Sequence, residues 1–153
     1  MRSSGARWCG SPGPAQVMQG KGECIGKSFN SILKGIGAAL AIECAKEDAK
    51  IVISARRENL LEKTKEKCIE AGAKCENIFV LPMDMCDFSS HQKCFKAVLD
   101  NFGKLDILIN NAGRSQRGRW EHINIDVDIE LFNLNVFSVI NLTRYSLHVS
   151  SCL

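Results

Sequence analysis

Gly35-Ile36-Gly37 opens a segment of helical pattern. Glycines at such a start let backbone N–H groups and the positive end of the helix approach a pyrophosphate that a side chain would obstruct. Close helix packing asks for the same small residues, so this triplet alone leaves both uses open. About twenty residues further on, just past a β-prone run, a dinucleotide site places the group that reads the adenosine ribose. Arg56 and Arg57 stand there. An acid would accept bonds from a 2′-hydroxyl, whereas a guanidinium pairs bidentately with a 2′-phosphate, which favours NADP(H) over NAD(H). A solvated basic loop is the plainer alternative. Asp84 follows a second β-prone run, and Asn110-Asn111-Ala112-Gly113 follows a third. Ligands of open α/β sheets bind at the carboxyl edge of the strands, where all four stretches converge.

The elements that must position these residues are legible in the apolar pattern. Short β-prone runs begin at Ile51, Ile78 and Leu105, with helix-like segments between them, the rhythm of βα units. Leu60, Leu61, Thr64 and Cys68 recur at helical spacing until Gly72 can cap the segment. In the next helix Asp87 is expected as N-cap, Phe95, Val98, Leu99 and Phe102 form one face, and Gly103 supplies the left-handed terminator. The runs Ile78 to Leu81 and Leu105 to Ile109 are almost continuously apolar, as in parallel strands covered on both faces. Beyond Glu121, the residues Val127, Leu131, Leu134, Phe137, Ile140 and Leu142 predict one long helix with a wide apolar face. Residues 1–34, rich in Gly, Ser, Pro and Lys, show no sustained period and read as irregular or disordered, so the organised domain spans 35–153.

Bulk properties exclude several classes of function. The 153 residues carry a net charge of +3 with Lys and Glu intermixed, so no basic block suits nucleic acid. The eight cysteines form no CxxC pair and the three histidines lie at no ligand spacing, so reduced thiols and no metal site are expected. The first thirty residues lack an uninterrupted apolar run, which makes the cytoplasm the default location. Asn141-Leu142-Thr143 fits a glycosylation sequon, read as coincidence on a helical segment without an export signal.

The run Leu105-Asp106-Ile107-Leu108-Ile109-Asn110-Asn111-Ala112-Gly113 resembles the NNAG signature of the short-chain dehydrogenase/reductase family. Met83-Asp84-Met85-Cys86-Asp87 and Ser115-Gln116-Arg117 make the chain most similar to the dehydrogenase/reductase member 7 branch. The resemblance runs from Gly35 to about Arg144, roughly the N-terminal half of such an enzyme. It implies a Rossmann-like, doubly wound parallel sheet and an NADP(H)-dependent oxidoreductase acting on a carbonyl or alcohol. By resemblance Gly35, Ile36 and Gly37 end the TGxxxGIG loop, and Arg56, with Arg57 beside it, reads the 2′-phosphate. Asp84 contacts adenine, and Asn111, Ala112 and Gly113 flank the cofactor's ribose. Asn135 resembles the asparagine that supports catalysis through a relay water; a helix Asn bonding its own backbone is the alternative.

Departures from the family pattern set the expectation for this chain. Gly26-Lys27-Ser28-Phe29 replaces the apolar first strand, and Asn30-Ser31 stands where the family has Thr-Gly, so an incomplete sheet is expected. The family's acid/base is a Tyr with a Lys four residues later, assisted by a Ser. Here the only tyrosine, Tyr145, has Val149 at that offset and reads as a helix-surface residue. The chain is therefore expected to be a truncated, inactive form, of the kind an aberrant splice or frame error would give. The alternative is a non-catalytic module that forms a homo- or hetero-dimer, for instance with a full-length reductase, through the helix containing Asn135. Relatives of the branch carry an endoplasmic reticulum membrane anchor, which this N-terminus lacks.

Overall fold

The computed structural model describes residues 36–150, so Gly35, Asn30-Ser31, Gly26-Lys27-Ser28-Phe29 and the readings made of residues 1–34 lie outside the described residues. The chain runs α1 (Ile36–Lys46), β1 (Ile51–Ala55), α2 (Glu58–Glu70), β2 (Ile78–Pro82), α3 (His91–Phe102), α4 (Ile125–Phe132) and α5 (Ser138–Ser150). A π-helical turn, Asn133–Phe137, joins α4 to α5, so the long helix expected beyond Glu121 is one rod with a wide turn inside it.

α1 buries Gly37, Ala41, Cys44 and Ala45, small residues on one face that let the helix lie close to its neighbours. Its end is shaped by Asp48, which adopts a left-handed φ of 54°. Ala49 N–H then bonds Cys44 C=O and Asp48 N–H bonds Ala45 C=O, and the Asp48 carboxylate accepts from Asn77 Nδ2 at 3.1 Å. α2 ends the same way on Gly72, at φ 111°, with Ala73 N–H on Cys68 C=O and Gly72 N–H on Ile69 C=O. Both ends are Schellman motifs, which satisfy carbonyls that a bare helix terminus leaves open. α3 stops at Gly103, φ 79°, whose N–H bonds Leu99 C=O at 2.7 Å.

β1 and β2 pair in parallel, Ile51 opposite Ile78 through Ala55 opposite Pro82. β1 is buried along its whole length against α1, α2 and β2; α1 and α2 pack on one another, and α3 packs on β2 and α5. Ile51, Val52, Ile53, Leu61, Met85 and Leu142 are the largest fully buried apolar side chains among the described residues. On α3, Phe95, Val98 and Phe102 face inward, with Phe102 edge-on to Phe79 at 6.4 Å.

Two expectations are corrected. Leu105–Ile109 forms no strand among the described residues: the sheet holds β1 and β2 alone. An apolar run becomes a strand only with a ladder partner. β1 spends one of its edges on β2, and no further strand among the described residues lies beside Leu105–Ile109. Second, Asp87 does not cap α3, which begins four residues later behind Ser90. Asp87 instead ties the preceding turn, accepting from Ser89 Oγ at 2.5 Å through its carboxylate and from Ser90 Oγ at 2.8 Å through its carbonyl. These hydroxyls, Ser89 foremost, hold the Asp87 carboxyl below its ordinary range.

Among the described residues no helix is long and apolar enough to cross a membrane. No group of three His, Cys, Asp or Glu there could hold a metal ion. Cys44 and Cys68 are buried, Cys94 half-buried, and Cys75 and Cys86 exposed, all as thiols.

Candidate functional site

The parallel pairing of β1 and β2 sends both strands out at one edge, and the ladder continues one bond further, with Met83 N–H on Ala55 C=O at 3.1 Å. Arg56 leaves β1 and Asp84 leaves β2 at that edge, both exposed, as is Arg57. Asp84 Oδ1 accepts from Cys86 N–H at 2.9 Å, which fixes the turn that presents its carboxylate. Cys86 marks the electrostatic centre. Partial burial and then the Asp84 charge push its thiol up, while Arg56 and Arg114 pull it down and Glu130 adds a smaller upward push. Charges from four separate segments thus act on one point, and the thiol stays protonated at neutral pH.

Gly37 is buried in the first turn of α1 and Ile36 is exposed, so the described part of the glycine triplet packs into the body as an open helix start requires. The NNAG stretch is half-buried from Asn110 to Gly113. Asn110 Nδ2 donates to Thr143 Oγ1 of α5 at 3.1 Å, and that hydroxyl donates to Val139 C=O at 2.8 Å. Asn110 Oδ1 and Asn111 Nδ2 are buried without a partner among the described residues, as is Ser54 Oγ near the exit of β1. An unpaired buried polar atom costs about 1–3 kcal/mol. Such atoms are the exception in folded proteins. A ligand rich in hydroxyls and amides offers a donor to the first and an acceptor to the second, so these residues fit a nicotinamide dinucleotide.

Asn135 lies in the π-helical turn, and its side chain bonds the backbone of another segment rather than that of its own helix. Its Oδ1 accepts from Arg114 N–H at 3.0 Å and its Nδ2 donates to Arg114 C=O at 2.8 Å, the two-way pairing one strand residue makes with another. The Arg114 guanidinium reaches Glu130 of α4 at 2.6 Å. Asn135 therefore anchors the backbone just after the NNAG stretch. Tyr145 is also corrected: it is half-buried against Phe95, ring centroids 5.8 Å apart, and belongs to the α3–α5 packing.

His91 carries no local signal of a role in its sequence surroundings, yet it is fully buried at the start of α3. Its Nε2–H donates to Met85 C=O at 3.1 Å and its Nδ1 accepts from Asn141 Nδ2 at 3.0 Å. Burial pushes the imidazole below its ordinary value of 6.5, against the opposing pull of the Met85 carbonyl, Asp87 and Asp84. Only a contact map could have joined His91 to Asn141, fifty positions apart.

A family model described as short chain dehydrogenase matches residues 32–149. The mouse protein named dehydrogenase/reductase SDR family member 7 is 49% identical over 111 residues, which cover 72% of this chain and 33% of that protein. The chain thus spans about a third of the length of that relative. Glucose dehydrogenase of Caenorhabditis elegans, solved in its apo form, superposes with a TM-score of 0.71 at 32% identity, covering 84% of this chain and 50% of that one. An actinorhodin polyketide ketoreductase solved with NADPH shares the fold at a TM-score of 0.74 and 24% identity, covering 82% and 46%.

Proposed function

Since the chain belongs to the short-chain dehydrogenase/reductase family, we propose that it holds a nicotinamide dinucleotide along the common exit edge of β1 and β2, with NADP(H) preferred over NAD(H). The observation that carries this reading is the register of the two strands. Ala55 opposite Pro82 brings the chain out of both strands at one edge, with Arg56 one residue past β1 and Asp84 two past β2, a cation for a 2′-phosphate and an acid for the adenine side on the same rim. The buried, unpartnered atoms of Asn110 and Asn111 support the same edge as the seat of the ribose. Gly37, with Gly35 before it, would bring the start of α1 to the pyrophosphate.

The family's chemistry is hydride transfer between such a cofactor and a carbonyl or secondary alcohol, and the cofactor supplies that chemistry when bound. In this chain the residues present bind and orient. The acid/base that would complete the transfer is not supplied by Tyr145, whose ring is packed on Phe95 and whose fourth neighbour is Val149. We therefore expect no NADPH oxidation with any carbonyl, and turnover above blank would overturn that expectation.

Thermal unfolding of the full chain with NADPH, and with NADH as control, tests the binding. A ligand held only by the folded state at a hundred times its Kd adds about 2.7 kcal/mol, a readable rise in midpoint. NADPH should raise the midpoint and NADH should do so far less, and Arg56→Ala should erase the difference. Equal shifts would remove the arginine's role; no shift with either would remove the cofactor.

A second reading, of a non-catalytic module that pairs with a longer relative, is favoured by the apolar residues Ile125, Ile129, Phe132 and Phe137 exposed along α4 and the turn after it. Co-purification with an intact reductase supports it, and a strictly monomeric chain argues against it.

A further inference from the structure

We propose that His91 and Asn141 form a proton-sensitive pin that positions the Asp84 loop on α5, so that the cofactor edge keeps its shape only while the imidazole is neutral. The cofactor clause rests on the reading above; the pin itself does not. One buried ring joins three separate parts of the chain: the loop after β2 through Met85, the first turn of α3, and α5 through Asn141. Met85, one residue after Asp84, is itself buried, so the bond to its carbonyl fixes the backbone that presents the Asp84 carboxylate. Phe88 closes the ring edge-on at 5.7 Å.

The bonding pattern admits one protonation state. A carbonyl can only accept, so Nε2 carries the proton, and Nδ1, facing the Asn141 amide nitrogen, must be the acceptor. Adding a proton at Nδ1 turns two donors toward each other. Asn141 must then rotate its amide to offer oxygen, and a cation is left inside the core. The charges acting on the ring come from the loop, Asp87 and Asp84, while α5 meets it with a neutral amide. Burial outweighs those two acids, so the folded state takes up the proton less readily than the unfolded chain. The stabilisation is thus complete above the ordinary imidazole value of 6.5 and is lost as pH falls from there through the lowered folded value. Asp84 sits on the loop that the pin holds, so the adenine side of the cofactor edge loosens over the same range.

The test compares wild type, His91→Gln and Asn141→Asp as full chains, by thermal midpoint from about pH 8 to about pH 5.5, without and with NADPH. Glutamine can donate to Met85 but does not titrate, so its profile should be flatter than wild type by about 4 °C over this range. In Asn141→Asp the carboxylate accepts from a protonated Nδ1 and raises the folded imidazole value, so the His91-dependent slope should reverse, with stability lost as pH rises. A purely packing role for His91 would not invert a slope. NADPH should raise the wild-type midpoint by a smaller margin at the acid end than at the alkaline end, and by a constant margin in His91→Gln. Parallel profiles for wild type and both variants overturn the pin. A pH-independent NADPH margin beside a titrating pin overturns its hold on the cofactor edge. No NADPH margin at any pH overturns the cofactor reading, and the slopes without ligand then decide the pin alone.

Discussion

The ends of α1 and α2 and the segment after α3 meet the same requirement in opposite ways. At Asp48 and Gly72 the chain turns left-handed and returns each helix's last carbonyls to N–H groups within six residues. From Leu105 to Gly113 an apolar run followed by two asparagines forms no ladder among the described residues, and two buried amide atoms find no partner among them. The first region closes its backbone locally; the second depends on groups far off in the chain, Thr143 and Asn135. Burial follows the same division. β1 is inaccessible throughout, whereas α4 has no buried residue. Stability should therefore reside in the β1–β2 half, and ligand or partner dependence in the other.

Matched truncations give the largest test of that division. Ile53→Ala in β1, where the side chain is 1% exposed, should cost about 2–5 kcal/mol by urea unfolding. Ile129→Ala on α4, 51% exposed, should stay within about 0.5 kcal/mol. Comparable losses would break the comparison. A large loss at Ile129 that grows with protein concentration would instead show that a second chain covers α4.

Where backbone needs are met locally, the sequence was readable. Gly72 and Gly103 follow helical apolar runs, and both hold the positive φ that their positions imply. That Arg56 and Asp84 share an edge was readable because each lies within two residues of a strand's end, and parallel strands end at one edge. Leu105–Ile109 misled because apolar composition reports burial and not the presence of a neighbour to pair with. Asp87 misled because Ser89 and Ser90 offer its oxygens nearer partners than the helix start. Asn135 and His91 were beyond local reading, since their partners lie 21 and 50 positions away. The π-helical turn carries no apolar signal distinct from an ordinary helix.

Glycine replacements sharpen the comparison at an intermediate scale, because the two regions should respond with opposite sign. Gly72→Ala meets open space but must hold a φ of 111°, and should cost about 1–2 kcal/mol. Gly118, in the loop after the NNAG stretch, would bring a Cβ only to ordinary contact, 3.6 Å from Ile123. Gly118→Ala should therefore stabilise by about 0.4–1 kcal/mol through the entropy of the unfolded chain. Denaturant midpoints of the two variants check this. A neutral Gly72→Ala would show that the Schellman turn does not set the end of α2.

The smallest expected effects concern how Arg114 is held, by backbone or by charge. Its guanidinium meets Glu130 at 2.6 Å, but the two side chains are 45% and 68% exposed, so water and salt screen the pair. Glu130→Gln should change stability by less than about 1 kcal/mol, and the difference from wild type should vanish in about 1 M salt. Asn135→Ala removes two bonds to the Arg114 backbone and should cost about 1 kcal/mol or somewhat more, with no dependence on salt. The same variant frees the chain that follows Gly113, so any NADPH-induced rise in midpoint should shrink with Asn135→Ala and persist with Glu130→Gln. A salt-sensitive loss in the asparagine variant, or a larger loss in the glutamate variant, would mean that charge rather than the paired amide holds the NNAG loop against the long helix.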